Sequence, residues 1–255
     1  MNRPLVLLSN DDGYDAPGIV ALREALATWA EVVTVAPETE QSATSHALSL
    51  ARPLRPRRLE PGLFAVDGTP ADCVYVALHA GTRFLPRRPD MVVSGINRGL
   101  NLGQDVFYSG TVAAAREGAL RGIPAIAASA HGRADLVRVA ALVVRLARSL
   151  HAAPRAGRAP LLNLNVPEKW SGEVRAARTG SRLYEELVEF RDDPRGREYL
   201  WLGGPGVKHE PDPGSDTDAY DAGAASLTPL SLDLTNDAAR PLCEALVSSL
   251  HPDNT

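Results

Sequence analysis

Apolar residues recur along the first two thirds of this chain in two alternating textures, short unbroken runs and longer stretches with helical spacing. The short runs Leu5–Ser9, Glu31–Ala36, Met91–Ser94, Ala125–Ala128 and Leu161–Val166 predict strands. Between them the spacing predicts helices near Gly18–Trp29, Pro70–Ala80, Thr111–Leu120 and Asp135–Leu150. Strands and helices that alternate in this way are βαβ units around a mainly parallel sheet, so the fold class is α/β. The helix starts agree: Pro17 stands where a first-turn proline is harmless, and Thr69-Pro70-Ala71-Asp72 sets a cap, a first-turn proline and an early acid in order. Near Pro167 the texture changes. Glycine, proline and charge dominate Arg191-Asp192-Asp193-Pro194-Arg195-Gly196 and Gly203-Gly204-Pro205-Gly206, on either side of the β-like run Tyr199-Leu200-Trp201-Leu202. Hairpins and long loops are expected there rather than a second core, in a form suited to subunit contact. Ser226–Leu234 reads as a further strand and a last helix falls near Ala238–Leu250. The expected division is a core over 1–166 and an extension over 167–255 packed on it.

Composition narrows the class. A chain of 255 residues holds one large domain with a substantial interior. Lys+Arg 27 against Asp+Glu 31 gives a formal net charge of -4, which argues against a broad nucleic-acid-binding face. The start of the chain carries only Arg3 before its first apolar run, too short for a secretory or membrane segment, so a soluble cytoplasmic protein without a membrane partner is expected. Cys73 and Cys243 lie far apart, and neither a disulfide framework nor a zinc knuckle is indicated.

Three segments carry candidate chemistry. The first apolar run stops at Asn10-Asp11-Asp12-Gly13, which delivers two carboxylates to the end of a strand, where ligands bind in open α/β sheets. Neighbouring strand residues point to opposite faces, so the two acids meet one ligand only if the backbone turns, and Gly13 permits that turn. Paired acids suit Mg²⁺, Mn²⁺ or Ca²⁺; taken alone, the same tripeptide reads first as an acidic turn that caps the next helix. The second segment, Ser94-Gly95-Ile96-Asn97 with Asn101-Leu102-Gly103, offers amide oxygens for a cation and glycine-opened N–H groups for an anion. A glycine-rich turn with left-handed asparagines competes with that reading, most strongly at Asn101. In the third, Tyr108-Ser109-Gly110-Thr111 opens an alanine-rich helix whose unpaired N–H groups and hydroxyls would receive a phosphate, or serve as an ordinary cap. Neither a Walker pattern nor a dinucleotide fingerprint is present.

Together these motifs resemble the SurE family of stationary-phase survival proteins. The match continues through Val35-Ala36-Pro37 with Gln41-Ser42, Gly68-Thr69-Pro70-Ala71-Asp72-Cys73-Val74, Asn163-Leu164-Asn165-Val166-Pro167, Gly214-Ser215-Asp216-Thr217-Asp218 and Ser226-Leu227-Thr228-Pro229-Leu230. The resemblance implies a Rossmann-like core with helices on both sheet faces, and homodimers or homotetramers built through the C-terminal extension. It also implies a metal-dependent 5′-nucleotidase, with 3′-nucleotidase and exopolyphosphatase activity as extensions of the same chemistry. By that resemblance the ligands of one divalent ion per subunit, Mg²⁺ or Mn²⁺ with Ca²⁺ as a crystallographic substitute, are Asp11, Asp12, Ser42 and Asn97. The substrate phosphate falls to Asn97, Ser109, Gly110 and Thr111. One departure stands out: where the family often has glycine after the serine, this chain has Ala43.

The implied reaction is metal-assisted attack of water on a nucleoside monophosphate, with Asp11 or Asp12 as the proton acceptor. Adjacent acids, rather than acids one residue apart, argue against the phospho-aspartate route of haloacid-dehalogenase phosphatases. The alternatives are a non-catalytic nucleotide- or metal-binding α/β module and a sugar-nucleotide transferase. Aromatics are 5% of the chain, and Tyr14, Phe107 and Tyr108 beside the proposed site stay unassigned.

Overall fold

The first apolar run becomes β1 (Leu5–Ser9), buried along its whole length because parallel strands flank it on both sides. The structure, a computed structural model, describes residues 3–154, 157–184, 188–203 and 207–250. In chain order β1 is followed by α1 (Pro17–Ala27), β2 (Glu31–Pro37), β3 (Pro56–Glu60), β4 (Leu63–Val66), α2 (Pro70–His79), β5 (Met91–Arg98), α3 (Gly110–Leu120), β6 (Ala125–Ala130), α4 (Leu136–Ala152) and β7 (Leu161–Val166). Then come β8 (Val174–Ala176), β9 (Arg182–Tyr184), β10 (Val188–Asp192), β11 (Glu198–Leu202), β12 (Val207–His209), α5 (Asp216–Asp221), β13 (Ala225–Leu230) and α6 (Arg240–Leu250).

Among the described residues one nine-stranded sheet runs in the order β3-β4-β2-β1-β5-β6-β7-β13-β8. From β4 to β7 every neighbouring pair is parallel. β3 and β13 are antiparallel to β4 and β7. The period-two alternation of β1 splits the core into two layers. Val6 and Leu8 meet Ile19, Leu22 and Leu26 of α1 and Val139 and Val143 of α4, while Leu5 and Leu7 meet Val74 and Ala77 of α2 and Val112 and Ala115 of α3. Helices therefore cover both faces of the sheet. After β1 the chain steps through α1 to β2, whereas after β4 it crosses through α2 to β5 on the other side of β1. The winding reverses between β1 and β5, which opens a crevice beyond their carboxyl ends.

Helix α2 starts as its sequence predicts. Thr69 Oγ1 accepts from Asp72 N at 3.1 Å, Thr69 N donates to Asp72 Oδ2 at 3.0 Å, and Pro70 opens the first turn. Elsewhere the boundaries move for physical reasons. The strand expected over 226–234 ends at Leu230, which pairs with Leu161, the first residue of β7; Pro160 before it has no N–H to extend the ladder. Ser231 and Asp233 then bond to each other in a turn. β5 continues past Ser94 to Arg98, with a register shift against β6 between Ser94 and Asn97. The hairpin of β3 and β4 is not signalled by the sequence, since β3 is an edge strand whose Arg57, Arg58 and Glu60 face solvent.

In the extension, β10 and β11 form a two-stranded antiparallel hairpin with Phe190, Leu200, Trp201 and Leu202 exposed. Leu242, Leu246, Val247 and Leu250 of α6 are exposed as well. Gly204, Pro205 and Gly206 of the expected glycine-rich turn, and residues 251–255, lie outside the described residues. No helix among the described residues is long and apolar enough to cross a membrane.

Candidate functional site

Directly after β1 the backbone turns at Gly13, whose φ of 108° is open to glycine but costly for other residues. Asn10 Nδ2 braces the turn by donating to Gly13 O at 2.7 Å. The two acids leave it in different directions. Asp11, 4% exposed, faces the start of α3: Thr111 Oγ1 donates to its Oδ1 at 2.5 Å and Thr111 N to its Oδ2 at 3.0 Å. Gly110 makes this approach feasible, since a Cβ there would lie 2.8 Å from Asp11 Cβ. Asp12 faces the end of β5, where Arg98 N donates to its Oδ2 at 3.0 Å.

Burial pushes the Asp11 carboxyl up to about 6; the Thr111 hydroxyl works against this and the Asp12 charge adds to it. Burial likewise raises Asp12, opposed by the Arg98 amide and reinforced by the charge of Glu40. The two acids look into adjoining cavities. Asp12, with Asp15, Glu40 and His131, lines one of about 620 Å³, and Asp11, with Asp105, Tyr108 and Ser109, lines one of about 380 Å³. Ser42, Asn97 and Arg98 line both.

Ser42 sits on an exposed loop that enters the site through Gln41 N, which donates to Asp11 O at 2.7 Å. Its hydroxyl donates to Glu40 Oε1 at 2.7 Å. Ala43 occupies the left-handed region at φ 57°, where glycine is at ease and alanine is not. Asn97 Nδ2 donates to Gly99 O at 3.1 Å, so its carbonyl oxygen is the atom available to a cation. Ser109 caps α3 by accepting from Val112 N at 3.0 Å. Asp11, Gly110 and Thr111 are thus in direct contact, Ser109 shares their helix start, and Asp12, Ser42 and Asn97 complete the rim. Thr111 donates both its hydroxyl and its amide to Asp11, which leaves the Gly110 N–H to head the helix.

Other residues support the site in ways that the sequence did not show. Asn101 is not left-handed; it is a buried node whose N–H donates to Asn165 Oδ1 at 2.7 Å and whose Nδ2 donates to Ser129 Oγ at 2.7 Å. Its carbonyl accepts from Asn163 Nδ2 and Asn165 Nδ2 at 2.8 and 3.1 Å. This ties the loop after β5 to β6 and β7, and the only sequence signal was an asparagine alternation inside an apolar strand. The fully buried Asp216 accepts from Gly103 N at 3.0 Å and Gly180 N at 2.7 Å, joining that loop to the extension. Asp105 pairs with Arg182 beside it.

Among the described residues no three or more His, Cys, Asp or Glu side chains form a metal cage. A cation here would rest on two carboxylates and neutral oxygens from Ser42 and Asn97, an all-oxygen set that suits Mg²⁺ or Mn²⁺ and leaves positions for water and substrate. Two adjacent carboxyls lifted by burial are the situation that such a charge relieves. Next to them, the N-terminus of α3 suits a phosphate.

Comparison with known proteins points in the same direction. The family model described as "Survival protein SurE" matches residues 6–186. A protein of Sorangium cellulosum (strain So ce56) named 5'-nucleotidase SurE is 68% identical over 91% of this chain and 91% of its own. A protein of Yersinia pseudotuberculosis serotype O:1b (strain IP 31758) named 5'/3'-nucleotidase SurE is 46% identical over 97% of this chain and 98% of its own. The crystal structure of the SurE protein from Aquifex aeolicus superposes with a TM-score of 0.83 at 38% identity, covering 96% of this chain and all of that one.

Proposed function

Because the chain belongs to the SurE family, we propose that it is a metal-dependent phosphomonoesterase that converts nucleoside monophosphates to nucleoside and phosphate, a 5′-nucleotidase with 3′-nucleotidase activity at the same site. The observation that carries this reading is the pairing of a two-carboxylate strand end with a helix N-terminus at the switch point of the sheet, joined by the bonds between Asp11 and Thr111. The names of the Sorangium and Yersinia relatives support the substrate class.

Asp11, Asp12, Ser42 Oγ and Asn97 Oδ1 would hold one Mg²⁺ or Mn²⁺ ion. When bound, it would supply Lewis-acid polarisation of the phosphoryl group and acidify the attacking water. The chain's own groups do the rest. The Gly110 N–H and the Ser109 hydroxyl bind and orient the phosphoryl oxygens, the Thr111 amide and hydroxyl being engaged by Asp11, and Asn97 Nδ2 adds a donor as negative charge grows on them. Thr111 also fixes Asp11, so the acid that faces the cation and the helix that faces the phosphate hold a constant separation. One of the two aspartates takes the proton of the water.

Outside the site, the exposed apolar hairpin of β10 and β11 supports the extension as the contact surface of a homodimer or homotetramer. Free cysteines, Cys73 buried and Cys243 exposed, go with a reducing cytoplasm.

The test is release of phosphate from a panel of 5′- and 3′-mononucleotides with added Mn²⁺ or Mg²⁺, with chelator as control and polyphosphate as a further arm. Turnover that requires the cation is expected. Tight nucleotide binding without turnover under any cation would favour a binding module instead.

A further inference from the structure

Two turns beyond the phosphate-facing start of α3, Glu117 is buried with 2% of its side chain exposed. An ionised carboxylate at such depth needs partners. Arg121 supplies one from the next turn, its Nη2 2.9 Å and its Nε 3.0 Å from Glu117 Oε1. The other oxygen, Oε2, meets His46 Nε2 at 2.9 Å, from a loop 71 residues earlier in the chain. Burial pushes the Glu117 carboxyl up, but the bonds from His46 and Arg121 outweigh it and hold the group below its ordinary value.

His46 belongs to the loop that carries Ser42. Between them Ala43 and Ser45 are both left-handed, at φ 57° and 54°, a course that costs L residues roughly 1 kcal/mol each and does not hold itself. Among the described residues, Ser42 has no side-chain bond outside its own loop, since its hydroxyl goes to Glu40. Its place is set from its flanks. Gln41 N holds the entry to Asp11 O; Ser45 N and Oγ bond the carbonyls of Tyr108 and Phe107 at 2.9 and 2.7 Å. His46 then pins the exit to α3.

We propose that His46 is a positioning residue for this enzyme: through Glu117 it latches the Ser42 loop to the same helix whose first turn faces the phosphate. The acid–helix wall and the serine wall of the site are thereby referred to one rigid body. The inference rests on the reading of Ser42 as a cation ligand.

The experiment measures the Mn²⁺ dissociation constant of the substrate-free protein by titration calorimetry for wild type, Ser42→Ala, His46→Ala, the double variant and His46→Gln. Residues that orient a metal ligand typically govern affinity by about 10-fold or more. Ser42→Ala and His46→Ala should each weaken Mn²⁺ by about 10-fold, and the double variant no further than Ser42→Ala alone, because the latch acts only through the serine. His46→Gln, which keeps a donor for Glu117, should recover most of the loss. At saturating Mn²⁺ the KM for a mononucleotide should stay within about twofold of wild type while kcat falls. If His46→Ala does not yield folded protein, Glu117→Gln replaces it in the same cycle. Full additivity of the two losses, or normal affinity in His46→Ala beside poor affinity in Ser42→Ala, overturns the latch alone. Normal affinity in Ser42→Ala removes the ligand reading of Ser42, and the latch with it.

Discussion

Asp11 is gripped by one residue at both oxygens, yet burial still lifts its carboxyl to about 6. The sign of the consequence follows from linkage. A carboxyl raised in the folded state favours its protonated form there, so its stabilising contribution is full below the ordinary value near 3.8 and is lost as pH climbs through about 6. In chelator, Asp11→Asn should therefore be more stable than wild type at pH 7.5, by on the order of 2 kcal/mol, with the gap closing near pH 4. Denaturant midpoints at both pH values measure this, and a gap independent of pH would refute the raised carboxyl. The same variant should lose cation-dependent turnover. Gly110 presents the opposite case, a position where atoms must be absent. Alanine there would put Cβ within 3.0 Å of both Asp11 Oδ2 and Pro70 Cγ, and displacing the acid by a fraction of an ångström should cost roughly 100-fold in kcat/KM. Steady-state kinetics of Gly110→Ala beside wild type would show it, and an unchanged constant would mean that α3 yields without moving Asp11.

At the scale of elements, the loop after β5 is held by a carboxylate from the far end of the chain. Asp216→Asn leaves one of the two N–H groups, Gly103 or Gly180, facing an amide NH₂ instead of an oxygen. The expected cost is about 1–3 kcal/mol, with an accompanying rise in KM as residues 100–105 loosen beside the site. Thermal unfolding and substrate titration together test it; a drop in stability with KM unmoved would confine Asp216 to the fold. This connection also marks where the sequence was readable. The central strands could be located because burial between two helical layers makes them apolar throughout, and α2 because Thr69, Pro70 and Asp72 act on their own neighbours. The β3–β4 hairpin was hidden because Arg57, Arg58 and Glu60 at a solvated edge look like loop residues. The bonds of Asn101, Asp216 and His46 were hidden for another reason: their partners lie 28 to 113 residues away. Asp11, Asp12 and Asn97 could be picked out as candidates because each ends an apolar run, but the grip of Thr111 on Asp11 spans 100 residues and has no local signal.

The whole molecule presents an unevenly finished surface. The sheet core is covered on both faces, whereas β10, β11 and α6 expose large apolar side chains. Deleting residues 188–202 and closing the gap with a short glycine-serine linker should lower the sedimenting mass to that of a smaller assembly while leaving the α/β core folded. Unchanged sedimentation would move the subunit contact elsewhere. The position of β1 has a different consequence, one for assembly in time. The strand that carries the acids is made before the other strands of its sheet, yet it lies in mid-sheet and pairs on one side with β5, some 85 residues later in the chain. Parallel pairing over that distance closes slowly. During synthesis the two aspartates emerge well before Asn97 and Thr111, so the site cannot come into being until the 100 residues that separate Asp11 from Thr111 have followed. Refolding should show the same order, with helical signal returning ahead of activity.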